Sequence, residues 1–536
     1  MLRTEVIRPL HVLLEGHARA RGEATAFADE NREITYGELV RTTARLAGHL
    51  VSLGVGAGDR VAMVMANAVE TAETYLAVPR AGAVAVCLNP DAGPAELEYM
   101  LGDCGARLVV TDVAHADLVA GLVPADVPVV LVGGTAPRWP SYAELIGRKP
   151  DVPAPDPDDL DATAFMLYTS GTTGRPKGVE LSLRSCLWVV AACWAPIMGL
   201  GPDDTVLSAL PLFHSYALDL CVLGVAATGA GERILPRFSS SRVLELLATG
   251  DYTVLPGVPT TFSYLLQAAS ARDGGGPPAH RLRVAVSAGA ILPAAVNEAF
   301  ERSFGATLLD GYGITETSTM VVMNWPHGSR PYGSCGLPIP GLAVRLVDPA
   351  TGVDAPPGGE GELWVRGPSV MRGYHGKPQQ TADVLVDGWY RTGDLARADV
   401  HGYLTISGRT KEMIIRGGEN IYPAEIENAL LDAPGVADAA VVGRPHPDLG
   451  EVPVAFVVAD PGAGAGPDPE ALREHCRRAL AWFKVPDGFH LTDTIPRTGS
   501  GKIKRFELAR RLDDVAGPPL PAPAPRSLDQ EVVTWS

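Results

Sequence analysis

An α/β protein followed by a smaller α+β domain is the fold class the sequence predicts. It should have a large N-terminal domain of several subdomains, with helix-flanked sheets and a β-rich subdomain, and then a small C-terminal domain. Three observations carry this expectation. Helical periodicity alternates with short apolar runs through the first part of the chain, glycine and proline increase from about residue 330, and strand and helix patterns return together after about residue 410.

The elements follow in order. LVRTTARLAGHLVSLG (39–54) and AVETAETYLAVPRAG (68–82) carry apolar residues at helical spacing, whereas RVAMVMA (60–66), AVAVCL (83–88) and ARLVVTD (106–112) are short apolar runs suited to strands of a largely parallel sheet. Further βα units include the strands TVLPGV (253–258) and LRVAVSAG (282–289). AVRLVD, GELWVRG and GYLTISG (343–348, 361–367, 402–408) form the β-rich part, and EIENALLDA, DAAVVGR, EVPVAFVVAD and EALREHCRRAL form the α+β part. The expected divisions are 1–408, 409–513 and a proline-rich tail at 514–536, with GAGAGPDPE (462–470) as a surface loop and no internal repeats.

Composition narrows the function. The 536 residues carry 45 basic and 62 acidic side chains, a net charge of -17, which excludes wholesale binding to nucleic acid or an anionic membrane. Any polyanion must therefore meet a local cationic site. Seven cysteines without a C-x-x-C spacing argue against a disulfide framework or zinc site, and, with no signal-peptide pattern at the N-terminus, point to a cytoplasmic protein. The longest uncharged run, Cys186 to Pro202, contains Pro196 and is expected to be a buried helix rather than a membrane span.

One stretch looks built for phosphate: YTSGTTGRPKG, residues 168–178. Its glycines, Gly171 and Gly174, let backbone N–H groups approach phosphate oxygens; Thr169, Ser170, Thr172 and Thr173 add hydroxyls, and Lys177 adds charge. The G-x-x-x-x-G-K-[ST] pattern is not met, because Pro176 occupies the second glycine position. A P-loop motor or kinase is disfavoured.

Five further motifs stand in a fixed order: PLFHSYAL (211–218), DGYGITET (310–317), WYRTGDLA (389–396), GRTKEMIIRGGENIYPAEIE (408–427) and PRTGSGKIKR (496–505). Together with 168–178 they resemble the ANL superfamily of adenylate-forming enzymes, over about residues 10–512. That resemblance implies ATP and Mg²⁺ as cofactors. It also implies two half-reactions: a carboxylate joins the α-phosphate of ATP with release of pyrophosphate, and a phosphopantetheine thiol then displaces AMP.

The resemblance also assigns roles. The 168–178 loop holds the departing phosphates; Gly289 and Ala290 in VSAGA lie along the adenine; Asp310, Gly311, Tyr312 and Gly313 complete the nucleotide cleft, Tyr312 stacking on the base. Thr315 resembles the α-phosphate ligand and Glu316 the Mg²⁺ ligand, while Asp394 and Arg409 resemble the ribose contacts. Lys502 is the expected catalytic cation, on a small mobile lid that rotates about Lys411 between the half-reactions, with Gly417 and Gly418 flanking the pantetheine tunnel.

For the acid, His214 resembles the aromatic gate beside the reacting carboxylate, and Ser287, Gly289, Gly311, Thr319, Met320 and Val322 the pocket wall. Asp219 is the unexpected residue, a lone charge in the apolar stretch HSYALDLCVLG; if that stretch is helical, Ser215 and Asp219 share a face at i, i+4. A buried carboxylate calls for a cation or several donors, which a substrate ammonium or an internal partner would supply. The first option resembles the stand-alone β-amino-acid adenylation enzymes that load acyl carrier proteins in macrolactam polyketide assembly, whereas peptide-synthetase domains place their aspartate where Ser215 stands. The acceptor is then a carrier protein, a reading helped by Asp487 in KVPD, where CoA-using relatives often carry a cation. The alternative is a medium-chain or aryl acyl-CoA synthetase with CoA as acceptor and Asp219 structurally paired.

Overall fold

The computed structural model describes residues 2–169, 175–272, 274–410, 412–417, 419–460, 466–497 and 502–514. The chain divides into two compact units. The first is Met1–Lys411 together with Arg497 and Lys502; the second is Glu412–Pro496 together with the chain from Ile503.

The first unit holds two large sheets. One has seven strands in the order Gly373–Tyr374, Lys177–Ser182, Thr163–Thr169, Val84–Leu88, Arg60–Val64, Leu108–Asp112, Val129–Val132. Its five strands from Thr163–Thr169 onward run parallel, and Val84–Leu88 is buried at every position, as a strand covered on both faces must be. The helix Tyr36–Ser52 begins at a capping box: Glu38 N–H donates to the Thr35 hydroxyl and Thr35 N–H donates to the Glu38 carboxylate.

Lys177–Ser182 pairs antiparallel with Thr163–Thr169, which sets Thr169 opposite Lys177. Both ends of the glycine-rich loop are thereby fixed on one hairpin, while Ser170, Gly171, Thr172, Thr173 and Gly174 lie outside the described residues. The second sheet has nine strands, among them Thr205–Ser208, Val254–Gly257, Val284–Ser287 and Thr307–Tyr312 in parallel register. DGY therefore ends a central strand. A third, antiparallel sheet of five strands contains Glu360–Arg366, Trp389–Ala398 and Leu404–Arg409.

The uncharged run folds as expected into a buried helix, Leu183–Val189, which continues as a wider π-helical segment, Val190–Trp194. No described helix is long and apolar enough to cross a membrane. HSYALDLCVLG departs from the expected plain helix. It is α-helical only over Ser215–Ala217 and then π-helical over Leu218–Gly224, and Ser215 and Asp219 take different partners.

In the second unit, Gly450–Ala459 pairs with Ile414–Arg416 and Val436–His446 antiparallel and with Gly488–Leu491 parallel, packed by helices including Pro423–Leu431 and Pro469–Ala479. This is the α+β arrangement the sequence predicts. All seven cysteines are buried and unbridged.

Candidate active site

Strand Thr307–Tyr312 leads into a turn that only glycine can make: a Cβ on Gly313 would lie 1.2 Å from the Thr319 carbonyl oxygen. The turn delivers Thr315–Thr317 as a single 3₁₀ turn. The Thr315 and Ser215 hydroxyls are 3.2 Å apart, and the Glu316 carboxylate accepts a hydrogen bond of 3.0 Å from the Tyr374 hydroxyl.

Asp394 lies directly opposite Arg409 in the β-rich sheet, and their side chains form an ion pair at 2.8 Å. The Tyr312 hydroxyl donates to the other oxygen of the Asp394 carboxylate, so both oxygens of this buried group are engaged. Asp310, in contrast, is buried deeply enough that its carboxyl is raised well above the usual range. Gly289 follows strand Val284–Ser287, and Ala290 beside it is exposed.

His214 precedes the 215–217 turn, where its Nδ1 accepts from Tyr216 N–H at 3.2 Å. Burial, with the nearby Lys502 charge, pushes the imidazole down to about 3, so it is neutral at ordinary pH. Lys502 is thus close enough to His214 to act on it electrostatically. A cavity of about 330 Å³ adjoins this point, lined by apolar side chains including Leu207, Phe238, Leu255 and Val258, and by His214, Gly289 and Arg497.

Asp219 is 1% exposed. One oxygen accepts from the Trp194 indole N–H at 2.7 Å; the other has no hydrogen-bond partner among the described residues. Burial drives its carboxyl well above the usual range, against the smaller opposing effect of Trp194. Neither sequence expectation is met whole: there is an internal partner, yet half the carboxylate is left over. Two other expected pocket residues share this condition, for the buried hydroxyls of Ser287 and Thr319 also lack partners among the described residues. Leaving each such group unpaired costs about 1–3 kcal/mol.

The rest of the expected wall divides. Met320 and Met323 belong to the main core, Met323 meeting Cys193, and the Met320 sulfur lies 3.1 Å from where a Cβ on Gly311 would stand. Val322 packs instead with Val321, Leu363 and Val365 under the β-rich sheet. Gly417 takes φ +58, the left-handed conformation, after strand Ile414–Arg416, while Lys411 and Gly418 lie outside the described residues. Asp487 is ion-paired with Arg444, so KVPD does not present a bare negative charge.

Among the described residues no cluster of three His, Cys, Asp or Glu side chains could cage a metal. Glu316 offers a half-buried carboxylate near the hairpin of Thr163–Thr169 and Lys177–Ser182, whereas Glu180 on that hairpin is taken up by His375 at 2.7 Å. The Glu316 carboxylate fits a magnesium ion held by one or two carboxylates and by substrate phosphates.

Two residues escaped sequence reasoning. Tyr374, in an unremarkable MRGYHG, reaches Glu316 through tertiary packing alone. Trp194 lay inside an apolar run, although an indole is a donor without an acceptor and suits a nearby lone carboxylate.

Helix-flanked parallel sheets, a DGYG turn beside a phosphate hairpin, and a separate α+β unit define an adenylate-forming enzyme that uses ATP. The chain belongs to the AMP-binding enzyme family, whose description matches residues 14–375, with the AMP-binding enzyme C-terminal domain matching residues 425–502. It is 38% identical over 496 residues to a feruloyl-CoA synthase of Amycolatopsis sp., covering 92% of this chain and 97% of that one. ATP-bound MatB from Rhodopseudomonas palustris superposes with a TM-score of 0.83 at 32% identity, covering 94% of this chain and 100% of that one. The anthranilate CoA ligase AuaEII, solved in complex with anthranoyl-AMP, gives 0.86 at 26% identity over 94% of this chain and 97% of that one. The protein is accordingly an acid–thiol ligase.

Proposed function

We propose that this enzyme joins an apolar carboxylic acid, aryl or medium-chain, to CoA through an acyl-adenylate. The observation that carries this reading is the apolar cavity of about 330 Å³ beside a neutral His214 within reach of the Lys502 charge. The relatives' identity as CoA ligases supports CoA over a carrier protein, and the Arg444 partner of Asp487 removes the sequence objection to CoA.

In the first half-reaction a carboxylate oxygen attacks the α-phosphorus and the bond to the β-phosphate bridging oxygen breaks, releasing pyrophosphate. Lys502 offsets the negative charge that develops, and a neutral His214 lets the acid approach without fixing it in an ion pair. Asp394 and Arg409 hold the ribose, Thr315 the α-phosphate, and Lys177 with the 170–174 loop the departing phosphates. Glu316 would hold Mg²⁺, which would supply neutralisation of the phosphate charge when bound. In the second half-reaction a thiolate attacks the acyl carbon and AMP leaves. The chain is read as an N-terminal domain to residue 408 and a lid from 409 to 513, turning about Lys411, with Gly417 and Gly418 beside the arriving thiol.

A second reading is favoured by one feature. The Asp219 oxygen that lacks a partner among the described residues supports an acid with a β-amino group, delivered to an acyl carrier protein. A site built to hydrogen-bond a substrate amine discriminates strongly against the analogue lacking it, because its buried polar group is then left unpaired. Pyrophosphate exchange with matched aryl, aliphatic and β-amino acids, followed by thioester assay with CoA and with a holo-carrier protein, tests both. Acyl-CoA formation from desamino acids is expected. Acid-dependent exchange that yields carrier thioester but no acyl-CoA would overturn the CoA reading.

A further inference from the structure

A buried phenol lies between the acid Glu316 and the cation Lys177. Tyr374 is 8% exposed; its hydroxyl donates to Glu316 Oε1 at 3.0 Å, and the Lys177 ammonium lies 4.7 Å from the centre of its ring. These three residues are far apart in sequence and meet through the sheet. Gly373–Tyr374 pairs antiparallel with Lys177–Ser182, placing Tyr374 opposite Val179. Tyr374 N–H donates to the Thr381 hydroxyl at 2.9 Å, and Met371 N–H donates to the Glu316 carbonyl at 2.8 Å. The segment 371–374 therefore holds Glu316 by main chain and by side chain while bracing the strand that starts at Lys177.

We propose that Tyr374 is a positioning residue for the triphosphate, its hydroxyl setting the rotamer of the Glu316 carboxylate and its ring face setting the Lys177 ammonium. This rests on the reading of Glu316 as the metal-facing acid. A phenol–carboxylate bond is charge-assisted and directional, and an aromatic face attracts an ammonium without consuming its hydrogen-bond donors. A tyrosine hydroxyl is a donor at neutral pH, whereas an ionised carboxylate only accepts. The Lys177 ammonium is thereby held over the ring, and one oxygen of Glu316 is fixed while the other is oriented.

The two contacts use different atoms of Tyr374 and can be separated. Tyr374→Phe keeps the ring and removes the hydroxyl; Tyr374→Leu removes both. Mn²⁺ binding to the full-length enzyme with a non-hydrolysable ATP analogue is read by electron paramagnetic resonance, and nucleotide binding without metal by calorimetry. Tyr374→Phe should weaken Mn²⁺ binding roughly 10-fold, as loss of an outer partner of a metal ligand does, and leave metal-free nucleotide affinity unchanged. Tyr374→Leu should weaken metal-free nucleotide binding as well. Glu316→Gln is the reference. If it weakens Mn²⁺ binding while Tyr374→Phe does not, the positioning role is overturned; if Glu316→Gln itself has no effect, the reading of Glu316 fails first. Should Tyr374→Leu not fold, the Phe and Gln variants decide.

Discussion

The two halves of the candidate site differ in how complete they are. Around the residues read as nucleotide contacts, polar groups are already engaged: Asp394 by Tyr312 and Arg409, Glu316 by Tyr374, Thr315 by Ser215. Around the residues read as acid contacts, Asp219, Ser287 and Thr319 each bury an oxygen without a partner among the described residues. On the proposed function, the first half is preorganised for the nucleotide, and the second carries hydrogen-bonding capacity, unmet among the described residues, that an acid would complete. Glu232 offers a comparison outside the site, with both carboxylate oxygens buried and lacking nitrogen or oxygen partners among the described residues, next to the Cys221 thiol.

The strongest test of the preorganised half is Lys502→Ala. Adenylate formation, followed by pyrophosphate exchange, should fall ~10²- to 10³-fold, while transfer of a supplied acyl-adenylate to thiol persists. Equal loss of both half-reactions would deny the division of labour.

A smaller effect separates Asp219 from Glu232. Burial raises both carboxyls well above their ordinary values. The folded protein thus holds protons that the unfolded chain releases above about pH 4, so each group costs stability as pH rises from there toward its folded value. Asp219→Asn and Glu232→Gln should each raise the melting temperature at pH 9 by on the order of 1–3 °C and flatten its decline with pH. Only Asp219→Asn should alter the ranking of acids in pyrophosphate exchange. If Glu232→Gln alters it equally, the unmet capacity of the acyl half is not specific to substrate.

The smallest expected effect is an absence. Because the His214 imidazole is pushed down to about 3, it should stay neutral from pH 8 to pH 5, and its ring resonances should not titrate there. In stability its sign opposes that of the two acids: the unfolded chain takes up the proton first, so stability is lost as pH falls below about 6.5. A His214 titration near 6.5 would mean that the gate is open to water.

Much of this was legible in the chain because it depends on local spacing. Continuous apolar runs gave the parallel strands, the DGYG turn requires glycine for a backbone reason at Gly313, and Asp219 stood out as a charge with no local companion. The π-helical segment at Leu218–Gly224 was not legible, since a 3.6-residue period says nothing about a widened turn, and neither were the separate partners of Ser215 and Asp219. Nor could KVPD be weighed correctly while Arg444 was unseen.

Residue order thus decided the class of chemistry, because phosphate handling and carboxylate activation need short, ordered sets of glycines, hydroxyls and cations. Which charges are satisfied, and which wait for a substrate, was decided by packing between distant segments: Trp194 on Asp219, Tyr374 between Glu316 and Lys177, Arg409 across from Asp394. Such pairings depend on sheet register and burial, which no stretch of neighbouring residues encodes.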